Sequence, residues 1–432
     1  MVSQCVTFSS LVISRACRLV SLGLVLIGLV TALAGCQKVS AEQTILDASI
    51  AFEQPVAAQL PAPTSYRVGI NTEVTGTGAQ IGDLSIRAAR LAIEEINTAG
   101  GINGIPLELV VRDARSDPNT ALEQYEQAVA EDDLDALLGP FKSAYGMLIV
   151  PAHIDDTLPM FIGATNATLT ERGDEHLFRM RPSDRLTAPA MLNFALQELK
   201  ARRVGIVHDS DAFGTGGANR IEEGLVARGQ PAAVRVGYAT GTVEFDPVAQ
   251  ELAEAEVDTV LIYGTNQTDV GHLLRAIRYW DVDVPVVTSP SGASIVTRNV
   301  AGEAQDGIYA VIDATLQAWP KGQHFEESFQ ARFGLQPDTY IIWYYDAIHL
   351  LATIWQAHPE ARGTELSHLI REAHYEGAQG LYCFDGTGEG LHDVTIAQVI
   401  DGDLSLLLSY GDSGFEDFDR ALASAGCGEG QS

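Results

Sequence analysis

Residues 92–118 read AIEEINTAGGINGIPLELVVRDARSDP, and this stretch contains the pattern that decides the fold. It begins in an amphipathic helix, in which apolar side chains recur every three or four positions from Leu84 to Ile96. The glycines of the AGGING segment end this helix, and IPLELVVRD is a short apolar strand. Asp117 and Pro118 are residue types preferred at the N-cap and in the first turn of a new helix. The stretch therefore predicts a helix, a strand and a second helix in succession.

The same alternation of apolar strands and helices continues along the chain. A first strand, YRVGI, begins at Tyr66, and later strands are DALLG, LPMFIGAT, RVGIVHDS, AVRVGYAT, DTVLIYGT and VPVVTSP. Helices are predicted near residues 143–155, 185–200, 215–228, 246–255 and 268–280. Short strands that alternate with such helices form parallel sheets covered on both faces. About ten strand–helix units are too many for one open sheet, so the pattern predicts two doubly wound α/β domains.

Composition restricts the partners of this protein. The 432 residues are 46% hydrophobic, which is enough for a substantial core. The formal net charge is −30, from 57 acidic and 27 basic residues. A surface that binds phosphate groups must be basic, so this charge argues against nucleic acid and against direct binding to anionic membrane surfaces.

The N-terminus has the pattern of an export signal. Residues 1–35 contain no acidic residue, and Arg15 and Arg18 precede an apolar run that is too short for a stable transmembrane helix. The segment LAGC, which ends this region, resembles a bacterial lipobox, and the resemblance implies that a lipid is attached to Cys36. We therefore predict a lipoprotein signal peptide at 1–35 and a flexible tether, rich in Ala, Gln and Pro, at 36–65.

The C-terminal part of the chain leaves two questions open. Cys383 and Cys427 remain after removal of the signal peptide, and a disulfide between them is possible in an oxidising compartment. The sequence alone does not establish the geometry that such a bond needs. Residues 411–432 form a predicted tail to which the sequence assigns no role.

Motifs of nucleotide binding and catalysis are missing from the sequence. GTGAQIG at 76–82 has the spacing G-x-G-x-x-x-G instead of G-x-G-x-x-G, and neither a G-x-x-x-x-G-K-[ST] loop nor a G-x-S-x-G elbow is present. The ten histidines include no H-E-x-x-H pattern and no Cys/His cluster. We therefore predict no cofactor, no metal site and no enzymatic activity.

A polar binding element is predicted where the strand LPMFIGAT ends. Ligands of doubly wound sheets bind outside the carboxyl ends of the strands, and this strand ends in Gly163, Ala164 and Thr165. Small side chains allow a ligand to approach the backbone closely, and Thr165 adds a hydroxyl. The same residues also fit a plain strand-to-helix turn that is capped by Thr165 or Asn166.

Several segments between residue 66 and about residue 410 resemble one protein family. AIEEINTAGGINGIPLELVVRDARSDP is followed in order by LLGPFKSA, GATNATLTERG, FRMRPSD, GIVHDSDAFGTG, EFDP and FDGTGEG. Together they resemble the type I periplasmic solute-binding proteins, in the branch of the leucine/isoleucine/valine-binding protein. The resemblance implies two doubly wound, Rossmann-like lobes. Three crossover strands are expected to join them near 183–187, 308–316 and 378–386. Lobe 1 is expected at 66–184 and 315–380, and lobe 2 at 185–314 and 381–410.

The resemblance also implies which residues bind the ligand. Ser143, together with the backbone and hydroxyl of Gly163, Ala164 and Thr165, is expected to hold the polar end of the ligand. Further contacts are expected from residues at the lid positions and on lobe 2, namely Ile81, Phe213, Asn266 and Ser291.

One expected residue of the amino-acid binders is missing from this sequence. The acidic residue that pairs with the ligand ammonium is expected at 288–292, where the sequence reads TSPSG. Glu73, Asp211 and Asp269 are the candidates to replace it. A buried ammonium without a carboxylate partner is costly, so an amino acid, an amide or urea-like molecule and a carboxylic acid all remain candidate ligands.

The function implied by the resemblance is binding of a small polar solute outside the cytoplasm. The protein is expected to be exported, to be held at a membrane by the lipid on Cys36, and to deliver its ligand to an ABC permease in the inner membrane. An alternative is an envelope lipoprotein that uses the same fold as a regulator or sensor and contacts a partner protein. Whether the lipid lies in an inner or an outer membrane stays open.

Overall fold

The computed structural model describes residues 64–410, and strands alternate with helices throughout this part of the chain. The strands are β1 (Tyr66–Thr72), β2 (Leu107–Asp113), β3 (Ala136–Leu138), β4 (Met160–Ile162), β5 (Leu177–Arg179), β6 (Val204–Asp209), β7 (Val234–Tyr238), β8 (Thr259–Tyr263), β9 (Val286–Thr288), β10 (Tyr309–Ile312), β11 (His374–Glu376), β12 (Leu381–Cys383), β13 (Thr395–Ile400) and β14 (Asp403–Ser409). The helices are α1 (Ala79–Thr98), α2 (Pro118–Glu131), α3 (Ser143–His153), α4 (Asp184–Asn193), α5 (Ala212–Ala227), α6 (Asp246–Glu254), α7 (Gln267–Tyr279), α8 (Ile295–Ala301), α9 (Pro320–Phe333), α10 (Ile342–Ala357) and α11 (Gly363–Arg371).

The strands form two main sheets. The first sheet has the order β2-β1-β3-β4-β5, and all of its strands are parallel. The second has the order β14-β13-β10-β9-β8-β6-β7 and is parallel except at one edge, where β13 runs antiparallel to β10 and β14. Strands β11 and β12 form a separate antiparallel pair. This topology confirms the predicted α/β fold with two doubly wound sheets.

Local structure in the stretch 92–118 follows from its residue types as predicted. Helix α1 ends at Thr98, and Gly100 and Gly101 then adopt positive φ angles of 107° and 75°, which glycine tolerates without strain. The Asp117 side chain caps α2 by accepting a hydrogen bond of 2.7 Å from the Thr120 amide. The end of α1 and the start of α2 are therefore each determined by residues within a few positions in the sequence.

Aromatic residues of α10 fill the core beside the first sheet. Trp343 and Trp355 are fully buried, and the rings of Trp343 and Tyr344 stack with centroids 3.6 Å apart. Trp355 stacks on Tyr66 of β1 with centroids 4.7 Å apart. This packing fixes the start of α10 close to the carboxyl ends of the first-sheet strands.

The chain passes between the two sheets three times. It leaves the first sheet after β5, returns after β10 to form α9 to α11, and crosses again after β12 to add β13 and β14. At the first passage the crossover strand that the resemblance implied near 183–187 is not present, and helix α4 begins at Asp184, in agreement with the helix predicted near 185–200. The Ser183 side chain accepts a hydrogen bond from the Arg185 amide and so caps this helix. The exact division of the chain into two lobes stays a prediction.

Several sequence predictions fall outside the described residues. These are the signal peptide at 1–35, the lipid on Cys36, nearly all of the tether at 36–65 and the tail at 411–432. Cys383 is disulfide-bonded, and the pairing with Cys427, which lies outside residues 64–410, stays a prediction. Within residues 64–410, no helix combines the length and apolar character needed to span a bilayer.

Candidate ligand-binding site

A cavity lies where strand ends of the two sheets meet. Its empty volume, including the open space at its mouth, is about 280 Å³. The lining residues are Phe141, Lys142, Ser143, Thr165, Arg181, Phe213, Thr265 and Tyr340. Most of them follow the carboxyl ends of strands β3, β4, β5 and β8, which is where doubly wound sheets bind ligands. A larger hollow of about 1380 Å³ beside α6 and α7 is an open surface depression away from these strand ends.

The first wall of the cavity is built from the ends of β3 and β4. Ser143 is the first residue of α3, and its hydroxyl accepts a hydrogen bond of 3.2 Å from the Asn166 amide. Thr165 is 4% exposed, and its hydroxyl has no hydrogen-bond partner. This hydroxyl is close enough to the Asp184 carboxyl to help lower its pKa, but burial dominates and raises that pKa to about 6. A ligand in the cavity would compete with the Asp184 carboxyl for the Thr165 hydroxyl.

Arg181 is fixed on several sides at the bottom of the cavity. Its Nε donates to Asp313 Oδ2 at 2.5 Å, and its Nη1 donates to the Gly163 carbonyl at 2.9 Å. The guanidinium carbon lies 5.2 Å from the Phe141 ring centre and 4.7 Å from the Tyr340 ring centre. Burial opposes the charge of Arg181, but the Asp313 carboxylate outweighs it and holds the pKa above its usual value. The remaining nitrogen, Nη2, is buried and has no partner.

A second buried ion pair stands beside the cavity. Lys142 Nζ lies 2.8 Å from Glu73 Oε1, and the same oxygen accepts a hydrogen bond of 2.8 Å from the Tyr145 hydroxyl. The side chains of Lys142 and Glu73 are 11% and 5% exposed. Because both charges are compensated inside the protein, this pair adds little net charge to the cavity.

The opposite wall comes from the second sheet. Phe213, in the first turn of α5, packs against Tyr263 with ring centroids 4.7 Å apart. Thr265 follows the end of β8, and its buried hydroxyl has no hydrogen-bond partner. Behind this wall, burial raises the pKa of both Asp209 and Asp269 to about 6.

The two walls are joined by a hydrogen bond across the cleft. Asn166 Nδ2 donates to the Ala212 carbonyl at 2.9 Å, while its Oδ1 accepts from the amide and hydroxyl of Thr168. The Tyr263 hydroxyl donates to Asp184 Oδ1 at 2.8 Å and so ties the end of β8 to the start of α4. The cleft is therefore closed in this structure.

Three of the predicted site residues line the cavity and five do not. Ser143, Thr165 and Phe213 line it. The five that lie elsewhere are already engaged in the protein interior: Gly163, Ala164, Asn266, Ser291 and Ile81. Ile81 is a core residue of α1. The Asn266 side chain caps α7, and the Ser291 hydroxyl lies 3.0 Å from that of Ser289.

The two small residues before Thr165 have structural partners. A Cβ atom at Gly163 would lie 2.7 Å from Cε2 and Cζ2 of Trp343, so the position requires glycine for packing. The Gly163 carbonyl accepts from Arg181, and the Ala164 carbonyl accepts from Arg179. The amides of both residues donate to the Pro140 carbonyl, at 3.1 and 3.2 Å.

The three candidates to pair with a ligand ammonium also have partners. Glu73 pairs with Lys142. The Asp211 side chain caps α5 by accepting from the Gly214 amide at 2.8 Å, and Asp269 accepts from the Gly241 amide at 2.7 Å. None of these carboxylates is among the described residues that line the cavity.

Sequence reasoning missed Phe141, Lys142, Arg181, Thr265 and Tyr340. Thr265 had a usable signal, since it follows an apolar strand in the same way as Thr165 does. Arg181 and Tyr340 had none, because their meeting depends on a fold that brings together residues 159 positions apart (340 − 181). In the described residues, no group of three or more His, Cys, Asp or Glu side chains is placed to bind a metal ion.

Comparison with known proteins identifies relatives over most of the chain. The profile of a family described as "Periplasmic binding protein" matches residues 65–403. A leucine-, isoleucine-, valine-, threonine- and alanine-binding protein of Pseudomonas aeruginosa is 26% identical over 329 residues, which are 76% of this chain and 88% of the relative.

Solved structures share the fold at lower sequence identity. A leucine-binding protein from Thermotoga maritima has a TM-score of 0.75 and 21% identity, and the match covers 81% of this chain and all of that one. A solute-binding protein of an ABC transporter from R. palustris, solved in complex with benzoate, has a TM-score of 0.74 and 20% identity. That match covers 80% of this chain and 96% of the other. Both structures therefore support the two-sheet architecture described above.

Proposed function

This chain belongs to the periplasmic binding protein family, and we propose that it binds a small polar solute in the cleft and delivers it to an ABC importer. The observation that carries this proposal is the cavity between the two sheets. Three of its lining residues carry a buried polar group without a hydrogen-bond partner: the hydroxyls of Thr165 and Thr265 and the Nη2 group of Arg181. Each buried polar group without a partner costs about 1–3 kcal/mol, and a complementary ligand removes that cost.

The proposed mechanism is closure of two rigid parts around the ligand. Thr165 and Arg181 come from the first-sheet side, whereas Phe213 and Thr265 come from the second-sheet side. A ligand contacts both walls only when the cleft is closed, so its binding stabilises the closed state. The chemistry required is binding and release, and we propose no catalytic activity.

The named ligands of the relatives define the panel of candidates. The Pseudomonas relative is named for aliphatic amino acids, and the R. palustris structure contains benzoate. Amino acids, amides, ureas and carboxylic acids are therefore the compounds to test on this protein.

Attachment to a membrane is part of the proposed function. A lipid on Cys36, followed by the tether up to residue 65, would hold the binding domain at a membrane surface near an ABC permease of the inner membrane. Expression of the full chain in a bacterial host tests this directly. The native chain should fractionate with membranes and be released by detergent, whereas Cys36→Ala should appear in the soluble fraction. Equal distribution of the two proteins would reject the anchor.

Ligand binding is tested by a thermal-shift screen of that panel, repeated with Thr165→Ala. A specific ligand at about 100 times its Kd should stabilise the native chain by roughly 2.7 kcal/mol. Thr165→Ala should reduce the shift, because the ligand loses one hydrogen bond. The exposed Thr353, whose hydroxyl bonds to the His349 carbonyl within its own helix, provides the matched control Thr353→Ala. If Thr165→Ala leaves the shift unchanged, the ligand does not bind at this cavity.

A further inference from the structure

The cavity offers hydrogen-bond donors that match a negatively charged ligand. Arg181 has three nitrogens that carry N–H groups, and two of them are used by Asp313 and the Gly163 carbonyl. The third nitrogen, Nη2, has no partner and belongs to a residue that lines the cavity. Arginine is always protonated, so this group can only donate.

The orientation of this donor is fixed before any ligand binds. The Arg181 guanidinium packs against the rings of Phe141 and Tyr340, and the Asp313 carboxylate fixes its edge. A planar guanidinium held in this way keeps its free N–H groups in one direction. The unpaired hydroxyls of Thr165 and Thr265 add two groups that can donate to the same ligand.

The cavity has no group that suits a ligand ammonium. Its described lining residues include two cations, Lys142 and Arg181, and no Asp or Glu. Glu73 and Asp313 each compensate one of those two cations, and Asp184, whose carboxyl stands beside the Thr165 hydroxyl, accepts a hydrogen bond from the Tyr263 hydroxyl. An α-ammonium would therefore find no carboxylate among the lining residues, which is unfavourable for a buried charge.

We propose that the preferred ligand is a small monocarboxylate without an α-ammonium group and with a flat apolar body. Its carboxylate accepts hydrogen bonds from Arg181 Nη2 and from the hydroxyls of Thr165 and Thr265, and its body lies against Phe141 and Phe213. This inference rests on the proposed function, because it specifies the ligand of the same cavity.

Pairs of compounds that differ only in the ammonium group test the inference. Isothermal titration of the purified full chain should compare leucine with 4-methylpentanoate and phenylalanine with 3-phenylpropionate. Benzoate and its uncharged analogue benzamide test the carboxylate separately. We expect each carboxylate to bind at least tenfold more tightly than its amino acid, and benzoate at least tenfold more tightly than benzamide.

The outcomes separate this inference from the proposed function. If the amino acids bind as tightly as their ammonium-free partners or more tightly, the inference is wrong and the solute-binding function stands. Tight binding of amides alone has the same consequence. If no amino acid, amide, urea or carboxylate binds, both proposals are rejected.

A variant of the second-sheet wall tests the assigned contacts. Thr265→Val removes one hydroxyl at nearly constant shape and should weaken carboxylate binding about five- to tenfold, which is the loss expected for one hydrogen bond. Thr259→Val is the matched control, because Thr259 lies at the other end of β8 and its hydroxyl bonds to the Asp258 carbonyl. Arg181→Lys keeps the charge but not the planar fork, and should weaken the same carboxylates at least tenfold. Unchanged affinity in Thr265→Val, with the native fold retained, would overturn the assigned contact.

Discussion

Replacement of Gly163 by alanine should lower the stability of the ligand-free protein, because the added methyl group clashes with the buried Trp343 ring. The new Cβ would lie 2.7 Å from two ring atoms of Trp343, whereas ordinary van der Waals contact begins at 3.4 Å. The ring would have to move by 0.7 Å (3.4 − 2.7), yet it is fully buried and stacks on Tyr344. Overpacking of this kind costs about 1–3 kcal/mol. At roughly 2 °C per kcal/mol for a large domain, the Tm should fall by roughly 2–6 °C.

The assay is calorimetric unfolding of the ligand-free protein, with two controls. Gly386→Ala makes the same chemical change at an exposed position where the new Cβ has no atom within 4 Å, so its stability should stay within about 0.5 kcal/mol of the native chain. Trp343→Leu removes the ring that Gly163 contacts. In that background, Gly163→Ala should cost at least about 1 kcal/mol less than it does in the native chain.

Two results would contradict the packing role of Gly163, and the first of them would support the ligand-binding role that the sequence predicted. If Gly163→Ala keeps the native Tm but loses ligand affinity, the small residue serves the approach of a ligand to the backbone. Equal costs of Gly163→Ala with and without the Trp343 ring would also refute the packing argument.

Three further predictions concern closure, pH dependence and a buried carboxylate. Asn166→Asp keeps the oxygen that caps the following turn but removes the N–H group that donates to the Ala212 carbonyl across the cleft. The closed form loses this hydrogen bond, so the Kd of the ligand should rise about tenfold (~1.4 kcal/mol) in titrations. Small-angle scattering should show a more open form. Burial raises the pKa of Asp209 and Asp269 from 3.8 to about 6. Between these two pKa values the folded state binds more protons than the unfolded state does. The free energy of unfolding should therefore increase as the pH is lowered from 7.5 to 5. Asp209→Asn should show a smaller increase over that range, and an unchanged slope would contradict the assignment. Asp346→Ala removes an acceptor that binds two backbone amides and a tyrosine hydroxyl, and it should lower the free energy of unfolding by about 3 kcal/mol in denaturant titrations, more than an exposed Asp283→Ala control.

The elements of the fold could be predicted from the sequence because their causes are local. The cap at Asp117 and the glycines after α1 act within a few residues, and both are confirmed. The periodicity of apolar residues likewise predicted helices that differ from the observed ones by only a few residues, as for α6 and α7. For the segment 183–187 the periodicity predicted a helix from about residue 185 whereas the resemblance implied a crossover strand, and the structure has the helix α4 from Asp184.

The cavity could be predicted only in part, because most of its wall depends on distant residues. Thr165 stands shortly after β4, so its position follows from the general rule for parallel sheets, whereas Ser143 was expected only from the family resemblance. Arg181 reaches the cavity together with Asp313, which lies 132 positions later, and no local pattern connects them. Gly163 shows the converse case, since a small residue at a strand end predicted approach of a ligand, and the structure offers packing against Trp343 as another reason for the glycine.

The order of strands and helices along the chain sets the order in which the protein can fold during synthesis. The first sheet is covered by α10, which begins at Ile342, and the second sheet gains β13 beside β10 only when Thr395 to Ile400 have been made. Neither half can therefore be completed from a contiguous early fragment, and truncation near the third passage would leave the second sheet without the strand that pairs with β10. A growing chain of this kind therefore leaves the β10 edge of the second sheet unpaired until nearly all of residues 64–410 have been synthesised.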